Sequence, residues 1–323
     1  MKILICDDSA VARKSIARSI CQSAQHTICF AQDGREALSI ISEQNIDILF
    51  LDLTMPVMDG FEVLAALPVS QYATKVIVVS GDIQKEARNR CLSLGAYDFV
   101  EKPFSFKVIE PLFEKLGLTL YVPHQTVRKV HTKLSQQECL AKFKELTNIA
   151  LGKGAAIMAD HLNEFIHLPV PNVGPLSFGE LKMAMLDVLQ RDGSVAVTQR
   201  FVGGGLHGEA LVCLRGKDIE EIGRRLGYPR EYSTYNEIVL NISNLLVSSY
   251  LVSLGGQIDK EISLRQPEVM DMSSLKNTST PDSETMFTIE YTYQAERLDF
   301  ECEVLFLLDK KSVDLIQSIM EIL

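Results

Sequence analysis

The first 118 residues alternate two hydrophobic patterns, and this alternation predicts an α/β fold. Short runs rich in β-branched residues are each followed by a stretch in which apolar residues recur at helical spacing. The predicted strands cover residues 3–6, 27–31, 48–51, 76–80 and 97–100. The predicted helices cover residues 9–20, 34–42, 60–66, 83–94 and 106–116. Strands and helices in this order predict a doubly wound (βα)5 parallel sheet, whose active crevice lies at the carboxyl ends of its strands.

The second half of the chain carries a different pattern, whose fold is not obvious from periodicity alone; we expect an α+β domain there. A long helix from residue 136 is followed by strands at 194–201 and 209–214 and a short helix near 217–226. The same order then returns, with a helix at 232–254, strands at 287–293 and 300–308, and a helix from 312. Residues 119–135 are polar, locally basic and contain a proline. They are the predicted linker between a domain at 1–118 and a domain at 136–323.

A short motif in the second half indicates an internal duplication. Each copy has two polar residues three positions apart, which places them on one face of a helix. A proline follows 23 positions later, and the copies are 96 residues apart. They consist of Glu145, Asn148 and Pro171 and of Asn241, Asn244 and Pro267. Because the second copy has an amide where the first has a carboxylate, we expect one working site and one degenerate site.

Composition and charge exclude several classes of function. The chain is 46% hydrophobic and 23% charged, as in ordinary globular proteins. A net charge of −10 leaves no basic surplus to neutralise phosphates, so nucleic acid is not an expected partner. No apolar run reaches the roughly 20 residues of a membrane span, and carboxylates follow the first strand too soon for a secretory signal. We therefore expect a cytoplasmic protein without membrane insertion.

The seven cysteines are scattered and form no CxxC pattern. This usage is typical of reduced, buried thiols rather than of a disulfide framework. The histidines show no convincing metal-site spacing either, so a bound transition metal is not expected.

Polar residues follow the predicted strands of the first domain at the points where they end. Asp7 and Asp8 follow the first strand, Asp52 follows the third, Ser80 ends the fourth, and Lys102 follows the fifth. In a parallel sheet these side chains converge at one edge. Crowded carboxylates repel one another unless a hard cation lies between them, and Mg²⁺ prefers such oxygen ligands. A hydroxyl and an ammonium beside the central carboxylate can bind phosphoryl oxygens.

These residues give the first domain a clear resemblance to the response regulator receiver family, over essentially its whole length. The resemblance implies that a histidine kinase donates a phosphoryl group to the chain. It implies the following roles: Asp52 as phosphoacceptor, Asp7 and Asp8 with the Thr54 backbone carbonyl as Mg²⁺ ligands, Ser80 and Lys102 as phosphoryl contacts, and Phe99 as the aromatic switch position.

The second domain resembles the CheC/CheX/FliY family of chemotaxis phosphatases, on the duplicated motif and its surroundings. The resemblance implies that Asn148 orients a water molecule for attack on the aspartyl phosphate of a CheY-like response regulator. It further implies that Glu145 pairs with the active-site lysine of that target. The matching positions of the second copy, Asn241 and Asn244, lack the carboxylate, and we expect a weak or inactive site there.

Two functions stay open at this point. In the first, the chain is an enzyme that dephosphorylates a CheY-like regulator and is modulated by phosphorylation at Asp52; hydrolysis of its own aspartyl phosphate is a variant of this hypothesis. In the second, residues 136–323 form a non-catalytic binding module of a chemotaxis or flagellar switch complex. A homodimer is also left open.

Overall fold

The structure of the chain is a computed structural model. It describes residues 1–20, 26–67, 73–104, 106–119, 121, 134–190, 193–270 and 285–322. Most of the predicted linker at 119–135 lies outside these residues. The chain divides into two compact units, Met1–Glu145 and Leu146–Leu323.

The first unit contains a five-stranded sheet in which every strand pairing is parallel, which confirms the predicted architecture. The strand order is β2-β1-β3-β4-β5. Its strands are β1 (Lys2–Cys6), β2 (Thr27–Ala31), β3 (Ile48–Leu51), β4 (Lys75–Ser80) and β5 (Asp98–Glu101). The helices are α1 (Ala10–Ser19), α2 (Gly34–Glu43), α3 (Gly60–Ala66), α4 (Lys85–Ser93) and α5 (Phe106–Leu116).

The central strands of this sheet are buried on both faces, as expected for a parallel sheet covered by helices. All four residues of β3 and the last four of β1 are buried. On one face, Ile5, Phe50 and Ile77 pack into the same apolar cluster as Phe113 of α5. Burying such a side chain contributes about 1.5–3 kcal/mol to stability. This packing fixes the carboxyl ends of β1 and β3 beside each other.

Polar caps determine where several of these helices begin. Ser9 accepts a hydrogen bond from the backbone N–H of Ala12 at the start of α1. Asp59 and Glu62 form a reciprocal capping box at the start of α3. Each cap satisfies backbone donors that have no partner within the helix. The short loops after β1 and β3 therefore end in defined positions.

The second half consists of an antiparallel sheet with helices. Helix α6 (Gln136–Leu162) begins at the predicted residue and crosses the boundary between the two units. The strands are β6 (Ile166–His167), β7 (Asn172–Ser177), β8 (Val195–Gly203), β9 (Leu206–Arg215), β10 (Ser263–Leu264), β11 (Glu268–Val269), β12 (Thr285–Ala295) and β13 (Glu301–Leu308). The other helices are α7 (Phe178–Gln190), α8 (Ile219–Arg225), α9 (Tyr235–Ile258) and α10 (Lys310–Ile322).

The strand order of this sheet is symmetric about its centre, where β9 pairs with β13. The main path is β10-β8-β9-β13-β12-β6, with β11 also paired to β8 and β7 also paired to β12. Short strands that follow α9 thus pair with β8, and short strands that follow α6 pair with β12. Within this sheet, the short strands after each long helix therefore pair with strands from the other half.

Helix α9 corrects one expectation about apolar stretches. Its mean hydropathy reaches 1.6 over an 18-residue window, so it is long and apolar enough to cross a membrane by composition alone. However, 61% of that window is buried inside the protein. Val239, Leu246 and Tyr250 are fully buried. This burial is typical of a core helix, and the apolar run reflects packing against the sheet.

The hydrophobic pattern did not predict five elements of the second half. They are the short strands β6, β7, β10 and β11 and the helix α7. Strands of two residues carry no measurable period, and β7 contains a proline and a glycine that weaken the strand pattern. These strands form only through pairing with strands that are distant in sequence.

Candidate functional site

The carboxyl ends of β1, β3 and β5 bring four charged side chains together. Asp7 and Asp8 follow β1, Asp52 follows β3, and Lys102 follows β5. Asp7 and Asp52 are each 1% exposed and Lys102 is 5% exposed, whereas Asp8 is more accessible. The predicted convergence of these residues is therefore what the structure shows. We call these four residues the acid pocket.

Lys102 holds the two buried carboxylates. Its Nζ donates to Asp7 Oδ2 at 2.7 Å and to Asp52 Oδ2 at 3.1 Å. A third carboxylate oxygen, Oε1 of Glu145 on α6, lies 3.1 Å from the same nitrogen. A buried ammonium can bear its charge only if its desolvation is offset by partners of this kind. Lys102 is thus a cation whose position is defined by three carboxylates.

Backbone contacts fix the loops that carry the acids. The Asp52 N–H donates to the carbonyl of Cys6 at 2.9 Å, which ties the end of β3 to the end of β1. The Leu53 N–H donates to Asp52 Oδ1 at 2.8 Å and orients that carboxylate. Gly60 allows the chain to pass close by, because a Cβ there would lie 2.3 Å from the Asp52 carbonyl oxygen. A larger residue at position 60 would displace the loop that carries Asp52.

Burial dominates the electrostatics of the acid pocket. It raises the pKa of Asp8 to about 6, with a further contribution from the charge of Asp7. Burial also raises the pKa of Asp7 and of Asp52, and the ammonium of Lys102 opposes this effect at both. Burial by itself lowers the pKa of Lys102, but the carboxylates of Asp52 and Asp7 raise it well above its usual value. The carboxylates favour neutralisation by protons or by a cation.

The donor set fits a hard divalent cation. Oxygen atoms of Asp7, Asp8 and Asp52 lie within 4.8 Å of one another. Mg²⁺ takes carboxylate and carbonyl oxygens, and three carboxylates supply more negative charge than one lysine neutralises. Thr54, whose carbonyl was predicted as a further ligand, is 9% exposed in the loop after β3. The chemistry of these residues therefore suits magnesium.

The predicted phosphoryl-contacting residue Ser80 and switch residue Phe99 are both buried. Ser80 is fully buried, and its Oγ accepts a hydrogen bond from the Asp82 N–H at 3.1 Å. Phe99 is 5% exposed, with the Arg88 guanidinium 5.9 Å from its ring centroid. Both stay predictions in their functional roles.

Two buried polar residues beside Ser80 could not be located from the sequence. Asp82 accepts hydrogen bonds from the Gln84 N–H at 3.0 Å and from Gln84 Nε2 at 3.2 Å. Burial raises the pKa of Asp82 to about 6. An acid two residues after a strand usually lies in a solvated turn, so only the tertiary structure distinguishes this one.

Comparison with known proteins places the first unit in a family. The profile of the response regulator receiver domain matches residues 3–113. The chemotaxis protein CheY of Listeria monocytogenes is 36% identical over 113 residues, which are 35% of this chain and 95% of that protein. The chain belongs to the response regulator receiver family. A receiver domain implies a phosphodonor such as a histidine kinase.

Other relatives match part of this chain but are longer than the matched segment. The protein-glutamate methylesterase/protein-glutamine glutaminase 5 of Myxococcus xanthus is 39% identical over 120 residues, 36% of this chain and 34% of that protein. A corresponding protein of Geobacter sulfurreducens is 39% identical over 156 residues, 47% of this chain and 40% of that protein. The chain thus spans well under half the length of these relatives. The solved structure of Vibrio cholerae CheY4 has a TM-score of 0.33 at 27% identity, covering 36% of this chain and 97% of that chain.

These comparisons correct the prediction of an aspartyl-phosphate phosphatase. The enzymes that they name are methylesterases and glutaminases, which are of a different type. In the structure the Glu145 carboxylate contacts Lys102 of its own chain. Its pairing with the lysine of a separate target stays a prediction.

The remaining predicted residues of the duplicated motif lie on the two long helices. Asn148 is half-buried on α6, one turn after Glu145. On α9, Asn241 Nδ2 donates to the Glu237 carbonyl at 2.8 Å. Asn244 is exposed, and its Oδ1 accepts a hydrogen bond from Gln199 Nε2 at 2.7 Å. Both amides of the second copy are therefore engaged within their own unit, and the roles first assigned to the motif stay predictions.

Proposed function

We propose that the chain is a cytoplasmic response regulator that accepts a phosphoryl group on Asp52 from a histidine kinase. We further propose that residues 136–323 form a phosphorylation-dependent binding module of a chemotaxis or flagellar switch complex. The observation that carries the first part is the contact of Lys102 Nζ with both Asp7 and Asp52 in a buried pocket.

Different residues at this sheet edge have different roles in phosphoryl transfer. An oxygen of Asp52 attacks phosphorus, an oxygen–phosphorus bond forms, and the phosphorus–nitrogen bond to the donor imidazole breaks. Lys102 and the hydroxyl of Ser80 then contact the phosphoryl oxygens and stabilise their charge. Transfer needs little covalent chemistry from the protein, so positioning provides most of the rate enhancement.

Magnesium would be held by Asp7, Asp8, Asp52 and the Thr54 carbonyl. When bound, it neutralises the carboxylates and the incoming phosphoryl oxygens. Asp8 is the most accessible of the three acids, which suits a ligand on the side from which a cation enters. Phe99 and Ser80 are the positions through which the receiver reports its phosphorylation.

The binding-module proposal rests on the contact between Glu145 and Lys102. A carboxylate on α6 recognises the lysine of a receiver acid pocket, and a CheY-like regulator offers a lysine of the same kind. Glu145 and Asn148, one turn apart, form the recognition face, and the second copy has an amide in place of the carboxylate. The methylesterase activity of the relatives is not carried to this chain, because the matches cover a minor part of those proteins.

The test uses the full-length chain, acetyl phosphate and Mg²⁺, with intact-protein mass spectrometry. Wild type should gain one phosphoryl group that is lost at alkaline pH, and Asp52→Asn should gain none. The treated proteins are then mixed with a phosphorylated CheY-like regulator, and complex formation is followed by sedimentation velocity. Binding that is equal for wild type and Asp52→Asn would refute the dependence on phosphorylation.

A further inference from the structure

Glu145 occupies a position beside Lys102 that the receiver sheet itself does not supply. It reaches the lysine from α6, and both residues belong to the first compact unit. The side chains of Lys102 and Glu145 are only 4% and 14% exposed. Surface ion pairs contribute little, but a contact this enclosed is weakly screened by solvent. The pair is therefore a specific contact.

The hydrogen-bonding capacity of Lys102 explains why this contact matters. A lysine ammonium has three N–H donors and no acceptor. Three carboxylate oxygens, from Asp7, Asp52 and Glu145, lie within 3.1 Å of Nζ. Asp7 and Asp52 accept hydrogen bonds from it, and Glu145 forms a third close ion pair with it. A phosphoryl oxygen on Asp52 must therefore compete with these carboxylates for the ammonium.

Glu145 is the carboxylate that the edge of the receiver sheet does not hold. Asp7 and Asp52 lie at strand ends and are held by the backbone contacts of the sheet edge, including the bond from the Asp52 N–H to the Cys6 carbonyl. Glu145 is half-buried on a helix that begins at residue 136. Its charge also adds to the negative charge of Asp7, Asp8 and Asp52, which an incoming phosphoryl group must approach.

We propose that Glu145 is a built-in competitor that blocks the acid pocket of its own receiver before phosphorylation. Its carboxylate takes the place of a phosphoryl oxygen on Lys102 and repels the phosphodonor. A phosphoryl group on Asp52 displaces it, and residues 136–145 then leave the pocket. This inference rests on the proposed role of Asp52 as phosphoacceptor.

The experiment measures the initial rate of phosphoryl incorporation from acetyl phosphate at saturating Mg²⁺, in the full-length chain. Glu145→Gln removes the charge and keeps the size of the side chain. We expect its rate to rise roughly 5- to 30-fold, the factor that corresponds to removing one charge-assisted contact. Glu138→Gln is the matched control on the same helix. Glu138 is exposed and caps the helix through Ser135, and glutamine preserves that cap.

A second readout follows the helix directly. Hydrogen exchange in residues 136–145 should increase when wild type is phosphorylated, and should be raised without phosphorylation in Glu145→Gln. Equal incorporation rates in wild type and Glu145→Gln would overturn the inference, as would an equal rise in Glu138→Gln. Failure of the proposed function has a different signature, because then wild type itself would not incorporate a phosphoryl group that depends on Asp52.

Discussion

At the scale of single residues, the receiver depends on how its buried charges are neutralised. Lys102 contacts Asp7, Asp52 and Glu145 within 3.1 Å, so its ammonium stabilises the pocket before any cation binds. Removal of one partner of a buried ion pair leaves uncompensated charge. The stability of the receiver should therefore depend on this lysine and on Mg²⁺ together.

Lys102→Gln should destabilise the protein by about 3–5 kcal/mol at neutral pH, because the pocket acids lose their counter-charge. Adding Mg²⁺ should recover more stability in the variant than in wild type. Thermal unfolding with and without Mg²⁺ measures both effects. Lys107→Gln, at an exposed position on α5, is the control and should change little. Equal Mg²⁺ stabilisation of wild type and Lys102→Gln would contradict this view of the pocket.

Asp82 gives a prediction about pH. Burial raises its pKa from 3.8 to about 6 in the folded protein. The folded state therefore binds a proton more tightly than the unfolded state, and stability falls as pH rises from about 4 to about 6. Since each pKa unit corresponds to about 1.4 kcal/mol, the charged carboxylate costs on the order of 3 kcal/mol at neutral pH.

The measurement is a carboxyl-carbon NMR titration of the full-length chain with labelled aspartate. A signal that titrates near pH 6 should disappear in Asp82→Asn. That variant keeps the bond from the Gln84 N–H and accommodates the second bond by rotation of the Gln84 amide. Its stability should vary less between pH 4 and 6 than that of wild type. A titration of Asp82 near pH 4 would show that its burial costs little.

At the scale of helices and strands, the close approach of α6 to the elements around it sets the packing of the second unit. Gly154 on α6 leaves room for Tyr293 and Ser249, because a Cβ there would lie 2.8 Å from the Tyr293 hydroxyl oxygen and 3.0 Å from Ser249 Oγ. The Tyr293 hydroxyl donates to the Leu151 carbonyl at 2.9 Å. Tyr293 is thus held in place and has little freedom to move aside.

Gly154→Ala should destabilise the second unit by about 1–3 kcal/mol, the usual cost of overpacking. Gly256→Ala on α9 is the matched control, since a Cβ added at Gly256 would meet no other atom within 4 Å. There alanine should be neutral or stabilise by roughly 0.5–1 kcal/mol through helix propensity. Urea unfolding of both variants distinguishes the effects. A loss of stability in Gly256→Ala equal to that in Gly154→Ala would argue against a packing cause.

Elements with strong periodicity could be predicted from the sequence, and elements made by distant pairing could not. The strands of the receiver differ from their predicted bounds by at most one residue at either end, because their apolar runs are continuous. Strands β10 and β11 pair with β8, which precedes them by more than 60 residues at every pairing, and carry no pattern of their own. Likewise, the predicted strand ends were enough to locate Asp7, Asp8, Asp52 and Lys102. The burial of Asp82 and the pairing of Glu145 with Lys102 depend on tertiary contacts and could not be predicted.

At the scale of the whole molecule, the chain combines a receiver with a second unit whose two half-sheets complete each other. The motif on α6 first indicated a phosphatase, and the named relatives point to enzymes of another type. The observation that supports a role for α6 is the contact of its Glu145 carboxylate with Lys102 of the receiver. The proposed function therefore depends on chemistry at Asp52.

The most direct test locates the phosphoryl group. The full-length chain is incubated with acetyl phosphate and Mg²⁺, the acyl phosphate is reduced with borohydride to homoserine, and peptide mass spectrometry identifies the modified position. We predict homoserine at position 52 in wild type and none when EDTA replaces Mg²⁺. Modification at another aspartate with position 52 unchanged, or incorporation that persists in Asp52→Asn, would contradict the proposed role of Asp52.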